Sequence, residues 1–176
     1  MKKLLMTICL MLSSMSMFAE QGEVWTGVNM NLGLNSNYQN FGVGAKIQYE
    51  FIKNLRGEAS FNYFLKKDYH TMWDANLNVH YILRLGESKK LGVYPLAGVG
   101  LVDCTYEDTI LQSAELNYHD VISGDIFSYR VICANAGAGI EYPITEWMKV
   151  NAEVKWQFPK DHDVRPVASI GFSFGL

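Results

Sequence analysis

From Val24 to the end of the chain, apolar and polar residues alternate in about eight separate runs. The clearest run is 41–51, in which every odd position is apolar and every even position is glycine, lysine, glutamine or glutamate. A repeat of two predicts β-strands with two chemically different faces, because successive side chains of a strand point to opposite sides. The runs are about ten residues or longer, which is the length that a tilted strand needs to cross a bilayer.

The first nineteen residues have the pattern of a secretory signal peptide. A basic start at Met1, Lys2 and Lys3 precedes an apolar core at 4–12, and small residues lead to Ala19. We expect cleavage after Ala19 and one mature domain, residues 20–176. The alternative is an N-terminal membrane anchor, which is disfavoured because the apolar stretch is too short to span a bilayer.

The charge of the mature chain limits its partners. Removal of Lys2 and Lys3 with the signal takes the formal net charge from −3 to −5. An acidic chain lacks the basic footprint that nucleic acid binding requires, so we exclude nucleic acid as a partner. No later apolar stretch is long enough for a spanning helix, so a membrane location requires a closed barrel, because open sheet edges cannot face lipid.

The runs predict eight strands joined by short and long links. The predicted strands are 24–34, 41–51, 55–65, 72–83, 91–102, 129–142, 147–158 and 165–176. Exported barrels of this kind keep both termini on the inner side, so the outward links are 35–40, 66–71, 103–128 and 159–164. The inner turns are then 52–54, 84–90 and 143–146.

Alternation alone leaves open which face is outside, because a lipocalin-like soluble barrel also alternates, with its apolar face turned inward. The polar face favours the membrane form, since it mixes both charge signs and carries most of the glycines, which suit a crowded interior. Unpaired charge there is costly, so we expect interior ion pairs. The candidates are Lys46, Glu50, Arg56, Glu58, Asp74, Glu141, Lys149, Glu153, Lys155 and Arg165.

Aromatic residues of the apolar face gather near the run ends, as in the belts of membrane barrels. The outer belt is predicted as Phe41, Tyr63, Trp73, Trp156 and Phe158, and the inner belt as Tyr49, Phe51, Tyr81, Tyr142 and Trp147. A lysine facing lipid near the midplane costs ~2–4 kcal/mol, and the central part of each apolar face carries no charge. We therefore predict an all-β fold, an eight-stranded antiparallel up-and-down transmembrane β-barrel.

Three segments carry a family resemblance: 94–101 (YPLAGVGL), 137–143 (GAGIEYP) and 150–158 (VNAEVKWQF). In these the mature chain resembles the small OmpA/OmpX-type outer-membrane β-barrel proteins of Gram-negative bacteria. The resemblance implies location in the cell outer membrane, contact with outer-membrane lipid and with the barrel-insertion machinery, and no cofactor. Many relatives end in an aromatic residue, whereas this chain ends in Leu176, so Phe174 is the candidate for the insertion signal.

Two cysteines remain after export to an oxidising space, where disulfides form readily. Cys104 and Cys133 lie near the ends of the strands that flank the longest link, and the strand phasing turns both side chains inward. We expect a disulfide that closes this link. The alternative is a pair of buried free thiols, which behave as small apolar residues.

The link 103–128 is the longest and contains no lysine or arginine. Exposed loops of small barrels commonly carry recognition, so an acidic loop could bind divalent cations or a basic extracellular partner of unknown identity. A charged loop can also be simply a solvated surface. The candidate recognition residues are Asp103, Glu107, Asp108, Glu115, His119, Asp120 and Asp125.

Other chemistry receives weaker support. His70, His119 and His162 lie beside aspartates, but they come from three separate links without ligand spacing, so we assign no metal site. We expect His80 to join the interior polar network. Ser113, Ser123 and Ser128 share a link with His119, yet no tight serine–histidine–acid spacing appears, which argues against a catalytic triad.

The sequence therefore predicts a non-catalytic outer-membrane barrel that serves envelope integrity or surface recognition through the link 103–128. One alternative is a lipid-modifying enzyme that uses His119 and a nearby serine. Another is a narrow ion-leak channel, although eight strands leave an interior that is largely filled by side chains.

Overall fold

The computed structural model describes residues 22–34, 40–67, 70–86, 90–107, 126–160 and 162–176. Among these residues, no helix is long and apolar enough to cross a bilayer. The strand segments are β1 (Val24–Gly33), β2 (Phe41–Ile52), β3 (Leu55–Lys67), β4 (His70–Tyr81), β5 (Leu83–Leu85), β6 (Leu91–Glu107), β7 (Ile126–Pro143), β8 (Met148–Pro159) and β9 (Arg165–Gly175).

The strands close into a barrel. Consecutive strands pair in antiparallel fashion, except that β4 and β5 both pair with β6, and β1 also pairs with β9. The short β5 continues β4 beyond Ile82, and both pair with β6, so together they occupy one position in the barrel. The predicted eight-stranded antiparallel barrel is therefore confirmed. We call the end that carries both termini the terminal end and the opposite end the loop end.

The predicted strands all exist, but β6 and β7 are longer than the sequence pattern indicated. Asp103 pairs with Arg130 and Glu107 pairs with Ile126, so residues 103–107 and 126–128 are strand, and the predicted link 103–128 is wrong at both ends. The reason is physical: alternation marks only the part of a strand that separates lipid from interior, and backbone pairing continues beyond it. Similarly, Lys67 pairs with His70, which shortens the predicted link 66–71.

The apolar face points outward. The outward side chains of Leu77 and Ile132 are 63% and 70% exposed, whereas the inward side chains of Arg56 and Asp74 are fully buried. A soluble barrel with an apolar cavity requires the reverse arrangement. The structure therefore has the sidedness of a membrane barrel, with hydrocarbon outside and charge within.

Both predicted aromatic belts lie on this outward face. At the loop end, Tyr63 and Trp73 stand opposite each other on β3 and β4. At the terminal end, the ring of Trp147 lies 6.2 Å from that of Phe174, and the rings of Tyr49 and Phe51 meet edge to face at 5.0 Å. These amphipathic rings mark the two boundaries of the apolar band.

The predicted disulfide does not form, because Cys104 and Cys133 are both buried free thiols. The strand register explains the difference. Cys104 pairs with Tyr129, whereas Cys133 pairs with Gly100, so the two cysteines stand four positions apart along the ladder. At ~3.3 Å per residue, this offset exceeds the Cα separation of about 7 Å beyond which a disulfide cannot close.

Candidate functional site

A buried ion cluster joins residues of β2, β3, β5, β7 and β8 across the barrel interior. Arg56 on β3 donates from Nη1 to Glu141 Oε2 on β7 at 2.5 Å, and Lys149 Nζ on β8 lies 3.7 Å from the same oxygen. Lys149 also lies 4.0 Å from Glu50 Oε1, and Arg84 reaches Glu141 Oε1 at 3.8 Å from the terminal end. Because both Arg56 and Glu141 are almost completely buried, removal of Arg56 leaves the Glu141 carboxylate with only its longer contacts to Lys149 and Arg84, which is costly in the interior.

A second cluster surrounds Glu58. Lys46 Nζ lies 3.5 Å from Glu58 Oε2, and Gln48 Nε2 donates to the same oxygen at 2.8 Å. Lys46 also donates to Asn151 Oδ1 on the far side of the interior at 2.8 Å. These contacts tie β2 and β3 to β8, so the interior charges connect non-neighbouring strands.

His80 and Tyr94 stack between the two clusters, with ring centres 4.8 Å apart and planes 10° from parallel. The guanidinium of Arg56 lies 5.1 Å from the centre of the Tyr94 ring, and Arg56 Nη2 is 3.1 Å from His80 Nδ1. A guanidinium only donates, so Nδ1 accepts and the neutral imidazole carries its proton on Nε2. Gly139 makes room for the tyrosine, since a Cβ there would lie 2.5 Å from the ring.

The structure brings together six of the ten residues predicted to form interior ion pairs. They are Lys46, Glu50, Arg56, Glu58, Glu141 and Lys149. The carboxylate of Glu153 instead accepts a hydrogen bond from Tyr94 Oη at 3.3 Å. Lys155 and Arg165 are buried in the same interior, with the Arg165 guanidinium 5.8 Å from the centre of the Phe64 ring.

A layer of side-chain amides surrounds Asp74, a feature that the sequence reasoning missed. The Asp74 carboxylate accepts hydrogen bonds from Asn62 and Asn76 at 2.6 Å and from Gln157 at 3.3 Å. Asn135 extends the layer by donating to Asn76 Oδ1 at 3.0 Å. The signal was present as asparagines at alternate inward positions, but only the strand register shows that they meet around one carboxylate.

An apolar plug closes the interior on the loop-end side of this amide layer. It consists of Phe64, Met72, Val102, Cys104, Cys133 and Val167. All six side chains are at most 3% exposed. The charged clusters, the amide layer and the plug thus occupy successive levels of the interior, which opposes the flow of solutes through the barrel.

One interior group of side chains has the donor set of a metal site. Single ligand atoms of Glu58, His80 and Glu153 lie within 4.8 Å of one another, and all three side chains are buried. The hydrogen bond from Arg56 to His80 Nδ1 opposes metal binding, however, because it leaves the proton on Nε2, the atom that would face the ion. The cluster is better explained as part of the polar network, as expected for His80.

The loop end is dominated by the β6–β7 hairpin. Pairing of β7 with β8 begins at Cys133, so residues 126–132 continue beyond β8 and pair with β6. On the outward face, Arg130 donates to Asp103 at 2.9 Å, and its guanidinium lies 5.5 Å from the centre of the Trp73 ring. The imidazole of His162 stacks on Tyr129 at 4.5 Å.

The predicted recognition residues are only partly within the described chain. Asp103 lies on the outward face of β6, and Glu107 is the last residue of that strand. Asp108, Glu115, His119, Asp120 and Asp125 lie outside the described residues, as do Ser113 and Ser123. Of the histidines considered for metal binding, His162 is exposed, and its Nδ1 lies 2.8 Å from the Lys160 carbonyl oxygen.

Comparison with known families decides the class of this barrel. A family model described as "Outer membrane protein beta-barrel domain" matches residues 6–156. The chain belongs to this family. Its place is accordingly the cell outer membrane, where short turns face the periplasm and longer loops face outward. Comparison with curated proteins gives no match.

Solved structures show the same fold at low sequence identity. The N-terminal β-barrel domain of Pseudomonas aeruginosa OprF is 18% identical with a TM-score of 0.66, and the alignment covers 89% of this chain and 100% of that one. Ail, the attachment invasion locus protein of Yersinia pestis, is 14% identical with a TM-score of 0.58 and coverages of 88% and 97%. Neisserial surface protein A is 13% identical with a TM-score of 0.59 and coverages of 88% and 96%.

Proposed function

We propose that this outer-membrane barrel is a non-catalytic surface-recognition protein that presents the β6–β7 hairpin and its acidic loop outside the cell. The observation that carries the proposal is the extension of β6 and β7, which span 17 and 18 residues against 10 to 13 in the other long strands. Strand that continues past the membrane band serves no purpose in crossing the bilayer. It does, however, hold a loop at a fixed height and orientation above the surface.

The hairpin also offers a strand edge. Within the described residues, β7 pairs with β6 from Ile126 onward and with β8 only from Cys133, so the outermost part of β7, residues 126–128, extends beyond β8. An extended segment of another protein can add to such an edge through backbone hydrogen bonds. The link beyond β6 contains Asp108, Glu115, Asp120 and Asp125 and no lysine or arginine, which favours a partner with basic residues.

The filled interior favours a role as a rigid scaffold and disfavours a role as a channel. Arg56, Glu141 and Lys149 join across it, and the plug around Phe64 and Met72 closes it toward the loop end.

The test replaces residues 108–125 by a short Gly-Ser turn, which keeps both strands of the hairpin. Intact cells that carry this variant are compared with cells carrying wild-type protein for capture of a fluorescent oligolysine peptide and for sensitivity to detergent. We expect lost capture with unchanged detergent resistance. A matched control replaces the link 35–39 in the same way and should retain capture. Equal capture by the 108–125 variant and wild type would contradict surface recognition, and detergent sensitivity alone would indicate an envelope role.

A further inference from the structure

A shallow trough on the outward surface of the barrel extends from β1 to β7 across β2, β3, β4 and β6. Its floor is formed by Ala45, Ala59 and Ala75, and its volume is about 780 Å³. The register places Ala45, Phe61 and Ala75 in one row and Ala59 beside Leu77 in the adjacent row. Three small side chains among larger ones thus create a depression in an otherwise bulky apolar surface.

One wall of the trough is formed by Phe61, which stacks on Trp73. The ring of Phe61 lies 5.6 Å from that of Trp73, with planes 27° from parallel. Trp73 belongs to the outer belt, so this stack draws the phenyl ring toward the loop end. Leu77 and Ile132 project from the other walls, with 63% and 70% of their surface exposed. The alanine floor therefore stays open between projecting side chains.

The trough lies at the depth of the lipid hydrocarbon. Its row of Ala45, Phe61 and Ala75 is two residues, or about 7 Å, below the row of Tyr63 and Trp73 that marks the outer boundary. An unsatisfied polar group costs several kcal/mol at this depth in a bilayer. An occupant must therefore present hydrocarbon to the alanines.

A cation stands at the loop-end margin of the trough. Arg130 pairs with Asp103 one row above Leu101 and Ile132, which line the trough. Nε and Nη2 of Arg130 both lie 2.9 Å from the same Asp103 oxygen. A guanidinium has five N–H donors, and this side chain is 62% exposed. The remaining donors are thus available at the level of the lipid head groups.

We propose that the trough and Arg130 together bind one phosphate-bearing lipid of the outer leaflet. An acyl chain lies on Ala45, Ala59 and Ala75, and the phosphate meets the guanidinium of Arg130, which matches phosphate in geometry and charge. A second copy of the chain fits less well, because the outer surface of a barrel is convex. It would meet the projecting Leu77 and Ile132 before it reached the alanine floor.

The test is native mass spectrometry of the purified protein in micelles that contain equal amounts of phosphatidic acid and phosphatidylcholine with identical chains. Arg130→Gln removes the cation, and Ala59→Phe fills the floor. The matched controls are Lys160→Gln, an exposed cation at the same end, and Ala138→Phe, an exposed outward alanine outside the trough. Folding of each variant is checked by its heat-dependent shift in gel mobility.

Wild-type protein should retain phosphatidic acid about tenfold more often than phosphatidylcholine, as expected for a charge-assisted hydrogen bond. Arg130→Gln should abolish this preference, Ala59→Phe should reduce retention of both lipids, and both controls should behave as wild type. The proposal is overturned if folded Arg130→Gln and Ala59→Phe proteins retain wild-type lipid binding. It is equally overturned if Ala59→Phe removes a dimer and leaves lipid retention unchanged, since the occupant is then a second copy.

Discussion

Arg56 is the residue on which the interior network depends most. Its guanidinium contacts Glu141, His80 and the ring of Tyr94, and none of its side-chain surface is exposed. Arg56→Met should lower the free energy of unfolding by about 3–5 kcal/mol, because it leaves Glu141 as a poorly compensated buried charge. Urea unfolding in lipid vesicles, followed by tryptophan fluorescence, measures this loss.

The matched control is Arg130→Met at the exposed Asp103–Arg130 pair. An exposed ion pair contributes only about 0–1 kcal/mol, so this variant should unfold close to wild type. Equal destabilisation by the two substitutions would show that the Arg56 contacts add nothing beyond those of a surface pair.

Gly139 tests the fit of Tyr94 in the interior. A Cβ at this position would lie 2.5 Å from the Tyr94 ring, whereas a Cβ at Gly175 would meet its nearest neighbour, the Trp25 ring, at 3.4 Å. Gly139→Ala should therefore destabilise the barrel by about 1–3 kcal/mol through overpacking. Gly175→Ala should be nearly neutral in the same urea experiment. If Gly139→Ala leaves the free energy of unfolding unchanged, the Tyr94 ring can shift against His80 at little cost.

The cysteines offer a direct chemical check of the strand register. Because Cys104 and Cys133 are four positions apart in the β6–β7 ladder, both should be alkylated in denatured protein without any reductant. Mass mapping of non-reduced peptides measures the alkylation of each cysteine. A linked peptide pair would require a different register between the two strands.

At the scale of the strands, alternation predicted every strand but not where β6 and β7 end. Residues 41–51 alternate because one face meets lipid and the other meets the filled interior. Beyond the row of Trp73 and Asp103, the two faces of the strands no longer meet lipid on one side and the filled interior on the other. The alternation of apolar and polar residues therefore stops, while the β6–β7 ladder continues to Glu107 and Ile126. A sequence pattern records the environment of the side chains, whereas strand length depends on backbone pairing.

The β6–β7 extension predicts a gradient of amide protection. Residues 101–105 of β6 pair with both β4 and β7, whereas in the described part of the chain the β7–β8 ladder begins only at Cys133, so β6 is the ladder partner of residues 126–132. Hydrogen exchange should therefore be slower at 101–105 than at 126–132, because a strand with two partners opens less readily. Residues 134–140, which have strand partners on both sides, serve as the protected control. Equal protection of 126–132 and 134–140 would indicate that another segment covers the β7 edge.

At the scale of the whole molecule, the sequence predicted the sidedness of the barrel and the residues of its charged interior. It did not predict which charges pair. Arg56 meets Glu141, a residue 85 positions later, and Asp74 accepts hydrogen bonds from the side-chain amides of Asn62 and Asn76. Such partners depend on how the strands are placed around the closed barrel, and a repeat of two within each strand carries no information about that placement.

The outward direction of the apolar face is the central claim, and lipid quenching of single tryptophans tests it most directly. Leu77→Trp, in a variant whose four native tryptophans are replaced by phenylalanine, places an indole at an outward mid-barrel position that is 63% exposed. The reference variant keeps only Trp25, which is 9% exposed and whose ring centre lies 4.1 Å from Lys149 Nζ in the interior. In vesicles with brominated acyl chains, the indole at position 77 should be strongly quenched and Trp25 should not. Strong quenching of Trp25 with an unquenched indole at position 77 would contradict the account.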